Sequence, residues 1–315
     1  MGGRSDKRAG AGNWLPGPSS LPARAVLVFV DGLGWGDDDV DRNPCLTYGG
    51  SLLDFPRSAA LCKPVDACLG VEGLPQSATG QTALLSGVNA PAEVGGHVTG
   101  FPTPALREIL KRRSVFVQLA ERARDGIFIN AFRPIFFELP AETQWRLSAT
   151  TVAQLAAGLP FFDLDDITAG RSIYQEFTNR DLIDKGFDVP EMTPEAAGRV
   201  LARNAALRDF TLYEYFQTDR AGHSRDRARC EGELDKLERF LGALLDGIGD
   251  DTLVLLTSDH GNLEDLSTRS HTLNPVPLMA WGPGAGGFVD GCAAITDVVP
   301  SLLAALGESR AGFRS

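Results

Sequence analysis

Only four histidines occur in the chain, and three of them stand in short segments rich in other ligand-type side chains. His260 directly follows Asp259, in Ser258-Asp-His-Gly261. His223 follows Asp219 by four residues, and His271 opens His271-Thr-Leu-Asn-Pro-Val-Pro277. A further carboxylate, Asp31, heads Asp31-Gly-Leu-Gly34. His97, in Gly95-Gly-His97, lies outside this pattern. Carboxylate oxygen and imidazole nitrogen together suit borderline divalent ions such as Mn²⁺ or Zn²⁺. Three Asp and three His are too many for one catalytic ion that must keep an open position, but they suit two. Two dications against three carboxylates leave net positive charge, which would bind a phosphate or stabilise an alkoxide. An Asp after a strand is a common turn or cap residue, so the combination carries the argument and no single residue does.

A nucleophile is available in Gly73-Leu-Pro-Gln-Ser-Ala-Thr-Gly-Gln-Thr-Ala-Leu-Leu-Ser-Gly87, which passes from a Gly/Pro turn into a helix-like run. Ser77 or Thr79 falls near that helix start, where free N–H groups and the helix dipole favour an anion. Either hydroxyl could instead serve only as a helix cap. No Gly-Lys-Ser/Thr follows, so the segment is not a nucleotide phosphate loop.

The elements that must position these groups alternate between strands and helices. Ala25–Val30 and Thr252–Thr257 are continuous apolar runs, as expected of strands buried on both faces. Thr211–Phe216 is a third, more amphipathic strand, and Ile127–Ile129 and Pro277–Ala280 are weaker candidates. All three main strands end at an acidic residue of the set above. Leu234, Leu237, Leu241, Leu244 and Leu245 form a stripe at helical spacing. Thr193-Pro194-Glu195 is a helix start, with its helix running to Leu207. Val115, Leu119 and Ala123 predict another helix, and Asp297–Leu306 a last one stopped by Gly307. The pattern predicts an α/β fold with a mostly parallel central sheet flanked by helices, whose ligands sit beyond the carboxyl ends of the strands.

Residues 1–22, rich in Gly, Pro, Ser and Arg, are expected to be a disordered tail. Residues from about 132 to 192 break the alternation, with Phe136, Phe137, Trp145, Phe161, Phe162 and Phe177 among many Pro, Asp and Thr. They read as a small inserted cap on a core formed by 23–131 and 193–315. Arg107, Arg112, Arg113, Arg133, Arg146, Arg171 and Arg180 lie in or near it and are expected on a solvated face.

Across 315 residues, 30 Lys and Arg against 41 Asp and Glu give a net charge of −11, which argues against nucleic acid or an anionic membrane as partner. Five cysteines, an odd number with no CxxC pair, argue against a disulfide framework and fit a reducing, cytoplasmic setting. No run approaches the roughly 18 apolar residues of a membrane span.

Asp31-Gly-Leu-Gly, Ser77-Ala-Thr-Gly-Gln-Thr, Asp219-x-x-x-His223, Asp259-His260-Gly-Asn and His271-Thr-x-Asn-Pro-Val-Pro occur in the order expected for the alkaline phosphatase superfamily. The chain most resembles the branch of cofactor-independent phosphoglycerate mutase and phosphopentomutase, and Ile295–Leu303 resembles that superfamily's C-terminal segment. The resemblance implies an alkaline phosphatase-like core and two divalent ions, Mn²⁺ or Zn²⁺. It assigns Asp31, Ser77, Asp259 and His260 to one ion and Asp219, His223 and His271 to the other. Ser77 maps to the nucleophile through the Ser-x-x-Gly pattern, with Thr79 the lesser candidate. The implied reaction is phosphoryl transfer on a small phosphate ester through a phosphoserine, as in a phosphomutase or a phosphatase. A phosphodiesterase or phosphonate-type hydrolase is the alternative within the class, and a non-catalytic metal-binding domain is the alternative outside it. The insertion is far smaller than the substrate domain of the phosphoglycerate mutases, and the Cys/Ser-x-Pro-x-Arg pattern of sulfatases is absent.

Overall fold

A computed structural model describes residues 21–307 apart from 56 and 59. The expected tail therefore lies outside the described residues, except for Leu21, which is exposed, and Pro22, which is buried.

Strands β1 (Arg24–Val30), β2 (Leu61–Val65), β3 (Gly126–Phe128), β4 (Phe210–Tyr215), β5 (Thr252–Thr257) and β6 (Val276–Trp281) form a sheet in the order β2-β6-β5-β1-β4-β3. The neighbours from β5 to β3 are parallel, whereas β6 runs antiparallel to both of its neighbours, β5 and β2. β1 is central, with Val28 opposite Tyr213 on one side and Leu256 on the other. Its side chains alternate between two apolar layers. Ala25, Leu27 and Phe29 enter one layer, and Val26, Val28 and Val30 enter the other. Both faces are covered, which is why the run reads as continuously apolar.

On the first face lie the helices Ser77–Ser86, Pro104–Arg113, Val115–Glu121 and Val298–Leu306. The second face carries Pro194–Ala205 and Arg227–Gly247. Thr193 caps the former helix by accepting from the Ala196 N–H at 3.2 Å. The leucine stripe of the latter is buried from Leu234 to Leu245. The molecule is thus an α/β sandwich with a mostly parallel sheet.

The strands depart from the sequence reading in several places. β4 ends at Tyr215, and Phe216 instead begins the helix Gln217–Ser224. β3 ends at Phe128, although the Ile129 N–H still bonds Leu212 O at 2.9 Å. β2 has no counterpart in the sequence reading. Its Leu-Cys-Lys-Pro-Val lacks an apolar pattern, and Pro64 is tolerated because the strand lies at the sheet edge.

Between 132 and 192 the chain makes short helices and irregular segments. The helix Ala149–Ala156 places Ala149, Val152 and Ala153 in the first apolar layer beside Leu106 and Leu110. Residues Ala131, Ile167, Tyr174, Leu182 and Val189 form a separate small cluster. Phe132, Phe136 and Phe161 pack with ring centroids 4.3–5.0 Å apart. Arg146, Arg171 and Arg180 are exposed and pair with Glu142, Asp166 and Asp184. Among the described residues, no helix is long and apolar enough to cross a membrane.

Candidate metal centre

The carboxyl ends of β1, β4 and β5 bring the acidic residues together. Asp31 follows β1 directly, with its N–H bonded to Tyr215 O at 2.9 Å. Asp259 and His260 follow β5 by two and three residues and are fully buried. Asp219 and His223 lie four apart on the helix after β4 and so share one of its faces. His271 sits in the segment between β5 and β6 that has no helix and no strand.

Ser77 is the first residue of its helix, and its Oγ lies 3.1 Å from His260 Nε2. That approach depends on Gly80, where a Cβ would come within 2.8 Å of Asp259 O. The first turn of the helix can therefore press against the end of β5. Thr79 is placed differently. Its hydroxyl donates to Gln76 O at 3.2 Å and accepts from the Val98 N–H at 3.1 Å, so both its roles are taken by backbone.

The ligand-type atoms form two groups, Asp31, Asp259 and His260 in one and Asp219, His260 and His271 in the other, each within 4.8 Å. His260 Nε2 lies 3.3 Å from Asp31 Oδ1 and 3.4 Å from Asp259 Oδ2. His223 Nε2 is 3.4 Å from Asp219 Oδ2, and His271 Nε2 is 3.7 Å from Asp219 Oδ1. The rings of His260 and His271 stack 3.7 Å apart. His223 Nδ1 meets Arg269 O at 2.7 Å, and His271 Nδ1 meets Pro75 O at 2.8 Å. A carbonyl only accepts, so both Nδ1 atoms carry protons and both rings turn Nε2 toward Asp219. His97 stands apart, with Nε2 3.3 Å from Val71 O.

The electrostatics fit bound cations. Burial, and then the Asp259 and Asp219 carboxylates, push the Asp31 carboxyl well above its ordinary range. Burial and Asp219 raise Asp259 to about 8. Burial holds His260 and His271 below the usual imidazole value, which leaves them neutral donors. Asp31 Oδ1 and Asp259 Oδ2 are buried without a hydrogen-bond partner. Buried carboxylates this close are costly unless a cation compensates them. The oxygen and nitrogen donors suit Mn²⁺ or Zn²⁺.

Several residues of the site were missed in the sequence. Gln81 donates to Asp31 Oδ2 at 3.2 Å. Its spacing of four from Ser77 on a helix was the available signal. Asn262 donates through Nδ2 to Asp219 Oδ1 at 2.7 Å. Glu214, inside β4, accepts from the Thr150 hydroxyl at 2.7 Å, and burial raises its carboxyl to about 7. Nothing marks it in a strand that reads as amphipathic.

Residues 175–307 match the family model of the Metalloenzyme superfamily. A 2,3-bisphosphoglycerate-independent phosphoglycerate mutase of Halobacterium salinarum is 29% identical over 161 residues, 46% of this chain and 31% of that protein. A phosphopentomutase of Anaeromyxobacter sp. (strain K) is 33% identical over 113 residues, 34% of this chain and 29% of that protein. The matched segments thus span under a third of either curated relative. Among solved structures, an alkaline phosphatase from the Antarctic bacterium TAB5 aligns with a TM-score of 0.54 at 16% identity, over 91% of this chain and 99% of that one. The fold is therefore alkaline phosphatase-like, and the resemblance of the motifs to that superfamily and its mutase branch stands.

Proposed function

We propose that the chain catalyses two-metal-dependent phosphoryl transfer from a small phosphate ester through a phosphoserine on Ser77. The observation that carries the reading is the Ser77 hydroxyl at a helix start, 3.1 Å from Nε2 of His260, the ring common to two groups of carboxylate and imidazole side chains. Asp31, Ser77, Asp259 and His260 would hold one Mn²⁺ or Zn²⁺ ion, and Asp219, His223 and His271 the other. Such ions lower the pKa of a serine hydroxyl and neutralise charge on a transferring phosphoryl group. Ser77 Oγ gives its proton to solvent and attacks phosphorus, the bond from phosphorus to the ester oxygen breaks, and the departing alkoxide takes a proton from solvent to leave as the alcohol. The free N–H groups at the helix start bind the phosphoryl oxygens. Asn262 holds the Asp219 carboxylate in place, and Gln81 holds Asp31.

Water is the favoured acceptor of the phosphoryl group. The side chain of His223 is 44% exposed, so solvent reaches His223 beside Asp219. The segment at about 132–192 is the candidate cap and would set substrate choice. Return of the group to substrate would make the enzyme a mutase, as the names of the relatives suggest. Phosphomonoesters, diesters and sugar phosphates assayed with Mn²⁺ and with Zn²⁺, with mass-spectrometric mapping of trapped phosphoenzyme, test the reading. Monoester turnover with label on Ser77 is expected. Label on Thr79, turnover of diesters alone, or no turnover with any ester would overturn it.

A further inference from the structure

Glu264 lies five residues past Asp259, and its side chain is buried. Oε2 accepts from the Gly34 N–H at 2.9 Å and from the Asn262 N–H at 2.7 Å. Oε1 accepts from the Thr272 hydroxyl and from Asn274 Nδ2, the latter at 3.1 Å. These four donors come from three segments. Gly34 follows Asp31, Asn262 follows Asp259 and His260, and Thr272 and Asn274 follow His271. The carboxylate is enclosed so closely that a Cβ on Gly34 or on Gly261 would overlap it.

We propose that Glu264 is a positioning residue that fastens the His271 loop to the ends of β1 and β5, and so sets the affinity for the ion held by Asp219 and His271. The inference rests on the two-ion reading above. Its asymmetry follows from what else holds each segment. Asp31 and Asp259 extend strands of a parallel ladder. The Leu33 N–H also donates to Ser258 Oγ at 3.0 Å, and the Thr218 hydroxyl to Asp31 O at 2.6 Å, both without Glu264. His271 has no such ladder beneath it. Apart from Glu264, its loop is tied by the Thr272 N–H to Gly261 O at 3.0 Å, the Trp35 N–H to Pro275 O at 2.7 Å, His271 Nδ1 to Pro75 O, His223 Nδ1 to Arg269 O and Cys68 Sγ to Leu273 O.

The donors also say which variant should be tolerated. The two backbone N–H groups can only donate, so they need an oxygen. The Thr272 hydroxyl can accept, and the Asn274 amide can turn to present its oxygen. Glutamine, with its oxygen toward Gly34 and Asn262 and its NH₂ toward Thr272 and Asn274, keeps every contact. Alanine leaves two buried N–H groups unpaired and frees the loop.

The test titrates the metal-free full chain with Co²⁺, following calorimetric stoichiometry and the visible absorption of the bound ion. It compares the wild type, Glu264→Gln, Glu264→Ala and Thr272→Val. Glu264→Ala should weaken one of the two binding events roughly 10–100-fold and leave the other near the wild-type value. Glu264→Gln should keep both, and Thr272→Val should show a smaller loss at the same event. Hydrogen exchange of the metal-free proteins supplies a readout that needs no ion. Peptides covering 31–36 and 262–275 should exchange faster in Glu264→Ala and not in Glu264→Gln. Equal weakening of both events, no weakening, or a Glu264→Gln protein as impaired as Glu264→Ala would overturn the proposal. Should Glu264→Ala fail to fold, Thr272→Val must show the selective loss by itself, and its absence there overturns the proposal equally. A wild type that binds fewer than two Co²⁺ ions would sink the two-ion reading instead, and the clamp would then be decided by the exchange data.

Discussion

Asp31, Asp259 and His260 follow strand ends and are buried, whereas His223 lies half-exposed on a short helix and His271, also buried, on an irregular loop. The first group is rigid and electrostatically unfavourable by itself, since Asp31 and Asp259 share a buried space. Beside it the single carboxylate Asp219 faces His223 and His271, whose outer nitrogens are satisfied by backbone carbonyls. A buried pair of carboxylates would gain stability from a cation. An ion held beside the half-exposed His223 would exchange with less disturbance to the sheet. The two halves should therefore respond differently to mutation, pH and chelation.

The largest effect is expected at the boundary between the halves. Ser77→Ala should lower turnover by roughly 10³-fold or more while most of the metal stays bound, because the charged ligands remain. Steady-state kinetics together with elemental analysis check both parts. Near-normal turnover would remove the covalent mechanism and leave direct activation of water.

The sealed half makes a prediction about pH. The folded-state carboxyls of Asp31 and Asp259 lie above the ordinary value of 3.8, Asp259 at about 8. Their protonated forms are favoured in the fold, so the metal-free protein should be most stable at low pH with respect to these groups. That stability is lost as pH rises from about 4 to about 8, by an amount of the order of several kcal/mol. Metal loading should flatten the slope, and Asp259→Asn should flatten it in the metal-free protein. Chemical denaturation at several pH values measures it, and parallel curves with and without metal would contradict the contrast between the halves.

Smaller effects should separate the individual histidines. His260→Ala should impair both ions, because its ring belongs to both groups. His223→Ala should weaken one ion only, by at least about tenfold, since even groups that merely orient ligands commonly cost that much. Calorimetric titration distinguishes the two, and equal profiles would mean the groups are not separate sites.

The smallest change is expected for Thr79→Val. It removes the acceptor for the Val98 N–H, which should cost about 1 kcal/mol of stability and little turnover. A loss of turnover comparable to that of Ser77→Ala would reverse the roles of the two hydroxyls.

Asp31, Asp219, Asp259 and the three histidines near them were legible in the sequence because each stands at the end of an apolar run or within a short polar motif. Chain order alone makes them candidates, and a parallel sheet gathers strand ends by its geometry. Ser77 was legible to within one alternative, as a hydroxyl at a helix start. The preference for Ser77 over Thr79 as the candidate rests on the neighbours, since only the packed helix shows which hydroxyl the Val98 backbone occupies. Glu214 and Glu264 were not legible at all. A carboxylate in an amphipathic strand or a polar loop looks like a solvated residue until the fold closes over it, and both are buried here.

The same division holds for the architecture. Local composition marked Ala25–Val30 and Thr252–Thr257 as buried strands, since short, β-branched apolar runs, six residues in the first and four in the second, fit a strand covered on both faces. It also determined the buried stripe from Leu234 to Leu245, because helical spacing places those side chains on one face. The tertiary structure decided the order of the strands, the edge position of β2 and the burial of the helix Ala149–Ala156 in the first apolar layer. It also decided that His260 stands between the two ligand groups. These depend on contacts between residues far apart in the chain, and such contacts leave no periodicity in the sequence: they form only when the sheet and its helices pack.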